Sequence, residues 1–446
     1  MILLCLSGTS AVLAEVTEYH LDNGLKLIVK EDHRAPVVVS QVWYKVGSSY
    51  EHLGITGTSH VLEHMMFKGT KNLDPGEFSR LIAEQGGQEN AFTGQDFTGY
   101  YQRLAASRLE ISFRLESERM HQLLLSEAEF KKELAVVKEE RRLRVEDKPQ
   151  SRVSEIFHAT AFLYSPYSAP IIGWMSDLEQ MTVADLQHWY QRWYAPNNAT
   201  LVVVGDVQAE AVLALAKQYF GPIPRVDFPA LKTHQEPEQL GLKRVRVKVP
   251  AKLPYLMMGY KVPVINTASI AWEPYALEVL TGILDGGESA RFSKELVRGQ
   301  EIINTISTGY SSSERLNTLL TFAAVPTQTH TLAELEAALK AQIVRLQKTL
   351  VSAQELNRVK AQVLASDIFE RDSMFYQGMK MGILETTGVG WRVLDNYIAN
   401  INAVTPAQIQ AVAKKYLIDD RLTIAEMLPQ PITQTRQPQP QATGRH

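Results

Sequence analysis

The chain reads as an α+β protein made of two copies of one domain, and three observations carry that reading. Residues 182–206, TVADLQHWYQRWYAPNNATLVVVGD, run as threonine, apolar helix, tyrosine, polar turn and buried strand; residues 405–428, TPAQIQAVAKKYLIDDRLTIAEML, repeat that order. A spacing of about 220 residues is too long for a solenoid and fits one duplicated unit. Each half also opens on strand-like runs, 17–46 in the first and 245–249 with 256–262 in the second. Between the halves, FGPIPRVDFPALKTHQEPEQ is rich in proline and polar residues, as a linker is.

Taken in order, residues 1–14 (MILLCLSGTSAVLA) are apolar and end on small residues that suit cleavage before Glu15, so a signal peptide is expected there, without a basic start. The only cysteine, Cys5, falls inside it, and a mature chain without cysteine suits an oxidising compartment. The first domain is placed at 15–222. Asp22-Asn23-Gly24 supplies a turn before the alternating Leu25, Leu27 and Val29, and Pro36 precedes a second strand over 37–46. Helical patterns follow at 58–68 and 76–85, a strand-like stretch at 88–104, and long helices over 106–146. Ser126 and Glu129 form a capping signature for the last of these. The linker is placed at 223–244, the second domain at 245–428, and residues 429–446, rich in proline and glutamine, are expected to be disordered.

With 446 residues, 45% hydrophobic and 21% charged, the chain has material for two full cores. A net charge of −3 gives no field to recruit nucleic acid or an anionic membrane, and no stretch after the leader is apolar enough to span a bilayer. The basic run Arg141 to Arg144 is interleaved with Glu139, Glu140 and Glu146 and reads as a solvated helix face.

The chemistry concentrates in TSHVLEHMMFKGT, residues 58–70, where His60, Glu63 and His64 read H-x-x-E-H. On a helix, residues i and i+4 share a face, so both imidazoles can reach one ion while Glu63 projects beside them as a base. The plain alternative is a partly buried amphipathic helix with Leu62, Met65 and Phe67 in the core. A catalytic zinc needs a third protein ligand. Glu133 and Glu140, seven apart, put two carboxylates on one side of a helix, although they could equally form a solvent face. Glycine-containing stretches such as GGESAR lack the lysine and helix of a phosphate loop. His121 and His158 stand alone in the sequence, and Tyr190, Trp193 and Tyr194 at helical spacing read as core.

H-x-x-E-H followed by E-x-x-x-x-x-x-E resembles the inverted zinc motif of the M16 metallopeptidases, the pitrilysin/insulinase and mitochondrial processing peptidase family. LDNGLKLIV, GITGTSHVLEHMMFKGT, GGQENAFTGQDFTGYY and PIIGWMSDLEQMTVADLQHWYQRWYAPNNATLVVVGDV are each similar to segments of that family, so the likeness covers nearly the whole mature chain. It implies the LuxS/MPP-like metallohydrolase fold: two homologous domains, each an antiparallel sheet with helices mainly on one face, the second domain inactive. It further implies one zinc (Zn2+) per chain held by His60, His64 and Glu140, Glu63 as general base, and Glu133 as a supporting carboxylate. Asn90 and Ala91 would lie on an edge strand that pairs with substrate peptide. The implied activity is that of a zinc endopeptidase or oligopeptidase acting on unfolded peptides in a closed chamber, in the periplasm of a bacterial envelope.

One departure bears on partners. In relatives whose second domain assists, an arginine and a tyrosine there help hold the substrate carbonyl. This chain offers Arg298, but Ile303-Asn304-Thr305 stands where the tyrosine is expected, and Tyr310 comes several residues late. A heterodimer with a related M16 chain bringing an Arg/Tyr pair is therefore expected, with a homodimer using Arg298 and Tyr310 as the alternative. Two other readings are a non-enzymatic scaffold subunit, which would usually have lost its metal residues, and a peptide-binding subunit that needs another chain to cut.

Overall fold

The computed structural model describes residues 16–228 and 235–432, in two α+β halves of matching topology. In the first, β1 (Val16–His20) turns into β2 (Lys26–Glu31), then β3 (Val37–Tyr44) leads to α1 (Thr58–Met65) and α2 (Glu77–Glu84). The hairpin β4 (Gln88–Thr93) and β5 (Thr98–Ala105) follows, then α3 (Leu109–His121) and α4 (Glu127–Arg141), which runs into a π-helical turn at Arg142–Glu146. Ser126 caps α4 by accepting the Glu129 N–H at 3.2 Å. Pro149 opens α5 (Pro149–Ala161), and α6 (Met175–Gln180), α7 (Val183–Trp193), β6 (Ala199–Gly205) and α8 (Ala209–Tyr219) complete this half. The second half runs β7 (Lys243–Pro250), β8 (Tyr255–Val262), α9 (Glu273–Asp285), a π-helical turn at Phe292–Val297, β9 (Ile303–Gly309) and β10 (Thr318–Pro326). It ends with α10 (Leu332–Lys348), α11 (Ala353–Arg371), α12 (Met374–Thr386), α13 (Leu394–Ala403), α14 (Pro406–Tyr416) and β11 (Leu422–Gln430).

The sheets are ordered β1-β2-β6-β3-β5-β4 and β7-β11-β8-β10-β9. They are mixed rather than antiparallel, because each contains one parallel pair, β2 with β6 and β7 with β11. The cause is the returning strand of the repeated helix-turn-strand unit. It inserts between β2 and β3 in the first half and between β7 and β8 in the second, so those strands do not pair with each other. Every residue of β6 is buried, which explains its apolar run over 201–204.

Each half's own helices lie mainly on one face of its sheet, and the opposite face is covered by a helix from the other half. Leu27, Val29, Val42, Leu201 and Val203 join the core under the first half's own helices. The alternate residues Ile28, Trp43, Val202 and Val204 pack with Met381 and Trp391, on α12 and just after it, from the second half. The exchange is reciprocal. Val153, Phe157 and Ala161 of α5 pack on Val247, Val249, Met257 and Met427 of the second sheet. Side chains of this size contribute about 1.5–3 kcal/mol each on full burial, so the two halves interlock through core, not rim. Gly382 makes the α12 contact possible, since a Cβ there would stand 2.0 Å from Trp43 Cε2.

Three further expectations change. Pro429 and Gln430 end β11, paired with Val249 and Pro250, so the strand runs into the stretch expected to be disordered. Lys243 and Arg244, placed in the linker, already belong to β7. Arg141 is buried and paired with Glu155 at 2.7 Å, so it leaves the solvated face that the exposed Leu143 and Arg144 keep. The expected leader at 1–14 with Cys5, part of the linker (229–234) and the tail from 433 lie outside the described residues.

Candidate metal centre

Helix α1 is short, and its start is built by neighbours. Gly57 precedes it at φ +90°, and a Cβ there would meet the Ile172 carbonyl oxygen at 2.7 Å, so only glycine fits. The carboxylate of Glu51 accepts the Gly57 and Ser59 amides, each at 2.7 Å, satisfying two otherwise orphaned donors. Burial raises Glu51 to about 8 although both amides oppose the shift. Asp177 accepts the Gly54 and Thr56 amides and the Thr56 hydroxyl, fixing the loop ahead of the helix. Val61, Leu62 and Met65 face the core, while His60, Glu63 and His64 face α4 and β4. The core reading and the metal reading describe two sides of one helix.

His60, His64 and Glu140 come together: one donor atom from each lies within 4.8 Å of the others. Glu140 Oε2 is 3.5 Å from His64 Nε2 and 3.8 Å from His60 Nε2. Ligand atoms around a tetrahedral zinc with bonds of about 2.1 Å stand about 3.4 Å apart, so this two-histidine, one-carboxylate set fits the ion in both chemistry and spacing. Glu140 turns its other oxygen to Arg144 Nη1 at 2.6 Å. Glu133, two turns earlier on α4, contacts His64 Nδ1 at 3.2 Å and Lys68 Nζ at 2.9 Å. A donor at Nδ1 leaves Nε2 with its lone pair toward the cluster. Burial lowers His64, but its bonds to Glu133 and Glu140 outweigh this and raise it to about 9. Burial and the neighbouring His64 hold His60 below the usual imidazole range.

Glu63 receives the Thr93 hydroxyl at 2.5 Å, and burial pushes its carboxyl upward against that bond. Thr93 ends β4, the edge strand of the first sheet. On the same strand the Ala91 N–H donates to Asn90 Oδ1 at 2.8 Å. The Asn90 amide therefore stands where the carbonyl of an added strand would sit.

Arg298 lies in the second half, with its guanidinium on the Glu288 carboxylate at 2.9 Å. The Tyr310 hydroxyl is tied to the Pro263 carbonyl at 2.8 Å. The strand β9 lies between them in sequence, and its pairing with β10 shifts by one residue at Asn304, between Ile303 opposite Pro326 and Thr305 opposite Val325. Arg298 and Tyr310 thus hold different partners and are not hydrogen-bonded to each other.

Sequence reading missed Thr93, Lys68, Arg144 and Glu51. Arg144 had a signal in its i+4 spacing from Glu140, and Thr93 stood inside the segment that supplied Asn90 and Ala91. His158 is a half-buried histidine bonded to the Ser154 carbonyl at 2.8 Å, apart from the centre, and Tyr190, Trp193 and Tyr194 are core.

Comparison with known proteins adds three findings. A family model described as insulinase (peptidase family M16) matches residues 26–174, and one described as peptidase M16 inactive domain matches residues 180–363. The chain is 33% identical to the zinc protease PqqE of Helicobacter pylori over 79% of both chains. It is 24% identical to the uncharacterized zinc protease YmxG of Bacillus subtilis over 91% of this chain and 96% of that one. Among solved structures, a protease from Helicobacter pylori superposes with a TM-score of 0.88 at 29% identity, covering 94% of this chain and all of that one. The periplasmic protease PqqL of Escherichia coli superposes at 0.78 with 18% identity, covering 94% of this chain but 48% of that chain.

Proposed function

The chain belongs to the M16 family of metallopeptidases, and from that premise we propose that it is a zinc-dependent endopeptidase or oligopeptidase of unfolded peptides. The observation that carries the reading is the convergence of His60, His64 and Glu140 with Glu63 beside them. His60 and His64 would hold zinc through Nε2, and Glu140 through the oxygen not taken by Arg144. Zinc bound there supplies Lewis acidity, which makes water a nucleophile near neutral pH and polarises a carbonyl.

The chain's own residues do the rest. Glu133 orients His64 through Nδ1, and Lys68 holds Glu133. Glu63 accepts the proton of the attacking water and delivers it to the departing amine nitrogen; its raised affinity for a proton suits both transfers. A substrate in extended form adds to the edge of β4, displacing the Asn90 amide from the Ala91 N–H. Thr93 links that strand to Glu63, so the backbone that registers the peptide also sets the base.

Assembly is part of the proposal. With Arg298 held on Glu288 and Tyr310 on Pro263, the donors for the carbonyl oxygen would come from a second, related chain, in a heterodimer enclosing a chamber. The alternative is a homodimer in which Arg298 and Tyr310 of the opposite subunit leave Glu288 and Pro263 to do this work. Among the described residues no helix is long and apolar enough to cross a membrane. Export to a bacterial periplasm rests on the leader-like residues 1–14, and fractionation of the expressing cell checks it.

The decisive experiment is Glu63→Gln in the full chain, assayed for zinc content and hydrolysis of an unfolded reporter peptide, with and without the candidate partner. Zinc should stay at wild-type occupancy while hydrolysis falls by about 10²–10⁴-fold. Near-normal turnover would assign the base to another residue.

A further inference from the structure

The turn after β4, residues 94–97, carries Asp96, which is fully buried. Its carboxylate accepts the Ser49 hydroxyl at 2.6 Å and the Tyr167 hydroxyl. It also accepts from Arg315 twice, through the backbone N–H at 3.2 Å and Nε at 3.0 Å. Arg315 closes the ring by donating from Nη2 to Ser49 Oγ at 2.7 Å, and its guanidinium lies 4.4 Å from the centre of the Tyr50 ring. Arg315 belongs to the second half, between β9 and β10, while all these partners belong to the first.

Two short paths lead from this ring to the metal centre. Ser49 and Tyr50 directly precede Glu51, whose carboxylate holds the first amides of α1. Thr93, which holds Glu63, directly precedes the turn that carries Asp96. The two turns are also bound to each other, Ser48 N–H to the Gly94 carbonyl at 3.2 Å and Ser49 N–H to the Gln95 carbonyl at 2.7 Å. They pack so closely that a Cβ on Gly47 would stand 2.4 Å from the Gly94 oxygen. Arg315 is the cation paired with Asp96, so removing it leaves a buried charge uncompensated and both turns free to shift.

We propose that Arg315 is a positioning residue for the metal centre. Through Ser49 and Asp96 it clamps the turn that sets the start of the metal helix and the turn that sets the Glu63 partner. The half matched by the inactive-domain model thereby contributes to the site of the other half. The inference rests on the peptidase reading only for its kinetic readout.

The test uses Arg315→Gln and Arg315→Lys in the full chain, with Arg392→Gln as a control that cuts a different contact between the halves, Arg392 to Glu18. Arg315→Gln should speed amide exchange in both 48–59 and 93–97 and hasten zinc loss to a chelator. It should also lower kcat by about tenfold or more with little change in KM, as expected when reacting groups are misplaced by a fraction of an ångström. Arg315→Lys should fall between, and Arg392→Gln should match wild type in all three. If Arg315→Gln does not fold, Ser49→Ala removes the shared hydroxyl and should show the same pattern more weakly. Loosening confined to 311–317, or an equal effect from Arg392→Gln, would overturn the proposal. A wild-type chain without hydrolysis would count against the peptidase reading, while exchange and zinc loss would still decide the role of Arg315.

Discussion

Helix α1 lies on α4 in the first half as α9 lies on α11 in the second, and the two junctions are built in opposite ways. Between α9 and α11, Gly282 sits so close to Val359 that a Cβ would come within 2.7 Å of its Cγ1. Arg358 reaches across to the Gly282 and Gly286 carbonyls at 3.2 and 2.7 Å, so the junction is dry packing plus a helix cap. Nine of the thirteen residues of α9 are buried. Between α1 and α4 the same place holds two imidazoles and two carboxylates, and α1 is only eight residues long. Among the described residues no other such cluster of metal-ligating groups occurs. The difference teaches what a polar site demands of a shared scaffold. Where packing is given up for donor atoms, Glu51, Thr93, Lys68 and Arg144 must hold the structure that core contacts hold elsewhere.

Cutting the donor set should break the comparison most completely. His64→Ala removes one ligand and also the group lying between Glu133 and Glu140. Two ligands remain, too few for a catalytic zinc. Elemental analysis should find zinc at background, and hydrolysis should drop to the detection limit. Wild-type zinc content in this variant would place the metal elsewhere.

Glu133→Gln probes the support rather than the set. The amide can still accept from His64 Nδ1 but loses the charge that pairs with Lys68. Support of this kind is worth about 10–100-fold in metal affinity or activity, so a partial loss is expected. Zinc titration against a competing chelator together with kcat measures it. A loss as complete as that of His64→Ala would make Glu133 a ligand.

The parts of this centre that a sequence can show are those set by periodicity along one helix. Four positions bring His60 and His64 to one face, and seven bring Glu133 and Glu140 to one face. The contacts of Thr93 and Arg315 were hidden because they are lateral. Thr93 meets Glu63 across 30 positions, and Arg315 meets Asp96 across 219, with no local pattern to announce either. The duplicated domain was legible in the repeated helix-turn-strand segment. The exchange of α5 and α12 was not, because an apolar face on a helix does not state which sheet it will cover. Nor does an apolar strand announce its neighbours, and so the parallel pairs went unseen.

Gly382 and Gly259 test the two sides of that exchange. A methyl at 382 would stand 2.0 Å from Trp43 Cε2, and one at 259 would stand 2.6 Å from the ring edge of Phe157. Trp43 is wholly buried and its Nε1 is bonded to Gln41 Oε1 at 2.9 Å, so it cannot swing aside freely. Gly382→Ala should destabilise by about 1–3 kcal/mol through overpacking, against the gain of about 1 kcal/mol that alanine normally brings to a helix. Gly259→Ala should cost less, because a ring edge can shift. Urea unfolding of both variants checks the order; a stabilised Gly382→Ala would mean that the contact of α12 with the first sheet is loose.

The smallest expected effect separates bonds between the halves from bonds within one. Glu18 on β1 accepts Trp391 Nε1 at 2.7 Å and Arg392 Nη1 at 2.6 Å, across the junction. Burial alone would raise its pKa, but these bonds, with His20 and Lys26, outweigh burial and bring it down to about 2 from 4.5. Glu355 is also brought down to about 2, against its own burial, by Arg291 and the start of α11, all within the second half. A carboxylate whose folded value is depressed stabilises the fold above its unfolded value. That stabilisation fades as pH falls from about 4.5 through about 2. Solvent screening at such a rim limits the Glu18 contribution to about 1 kcal/mol or less. Protection of the amides at 391–394, corrected for intrinsic exchange, should therefore weaken between pH 5 and pH 3. Glu18→Gln should show the weakened protection already at pH 6 and lose most of its dependence on acid, because an amide has no proton to gain. Glu355→Gln should leave the 391–394 profile as it is and loosen α11 instead. If Glu18→Gln keeps the full acid response at 391–394, some other carboxylate governs the junction and the division between the two kinds of bond fails.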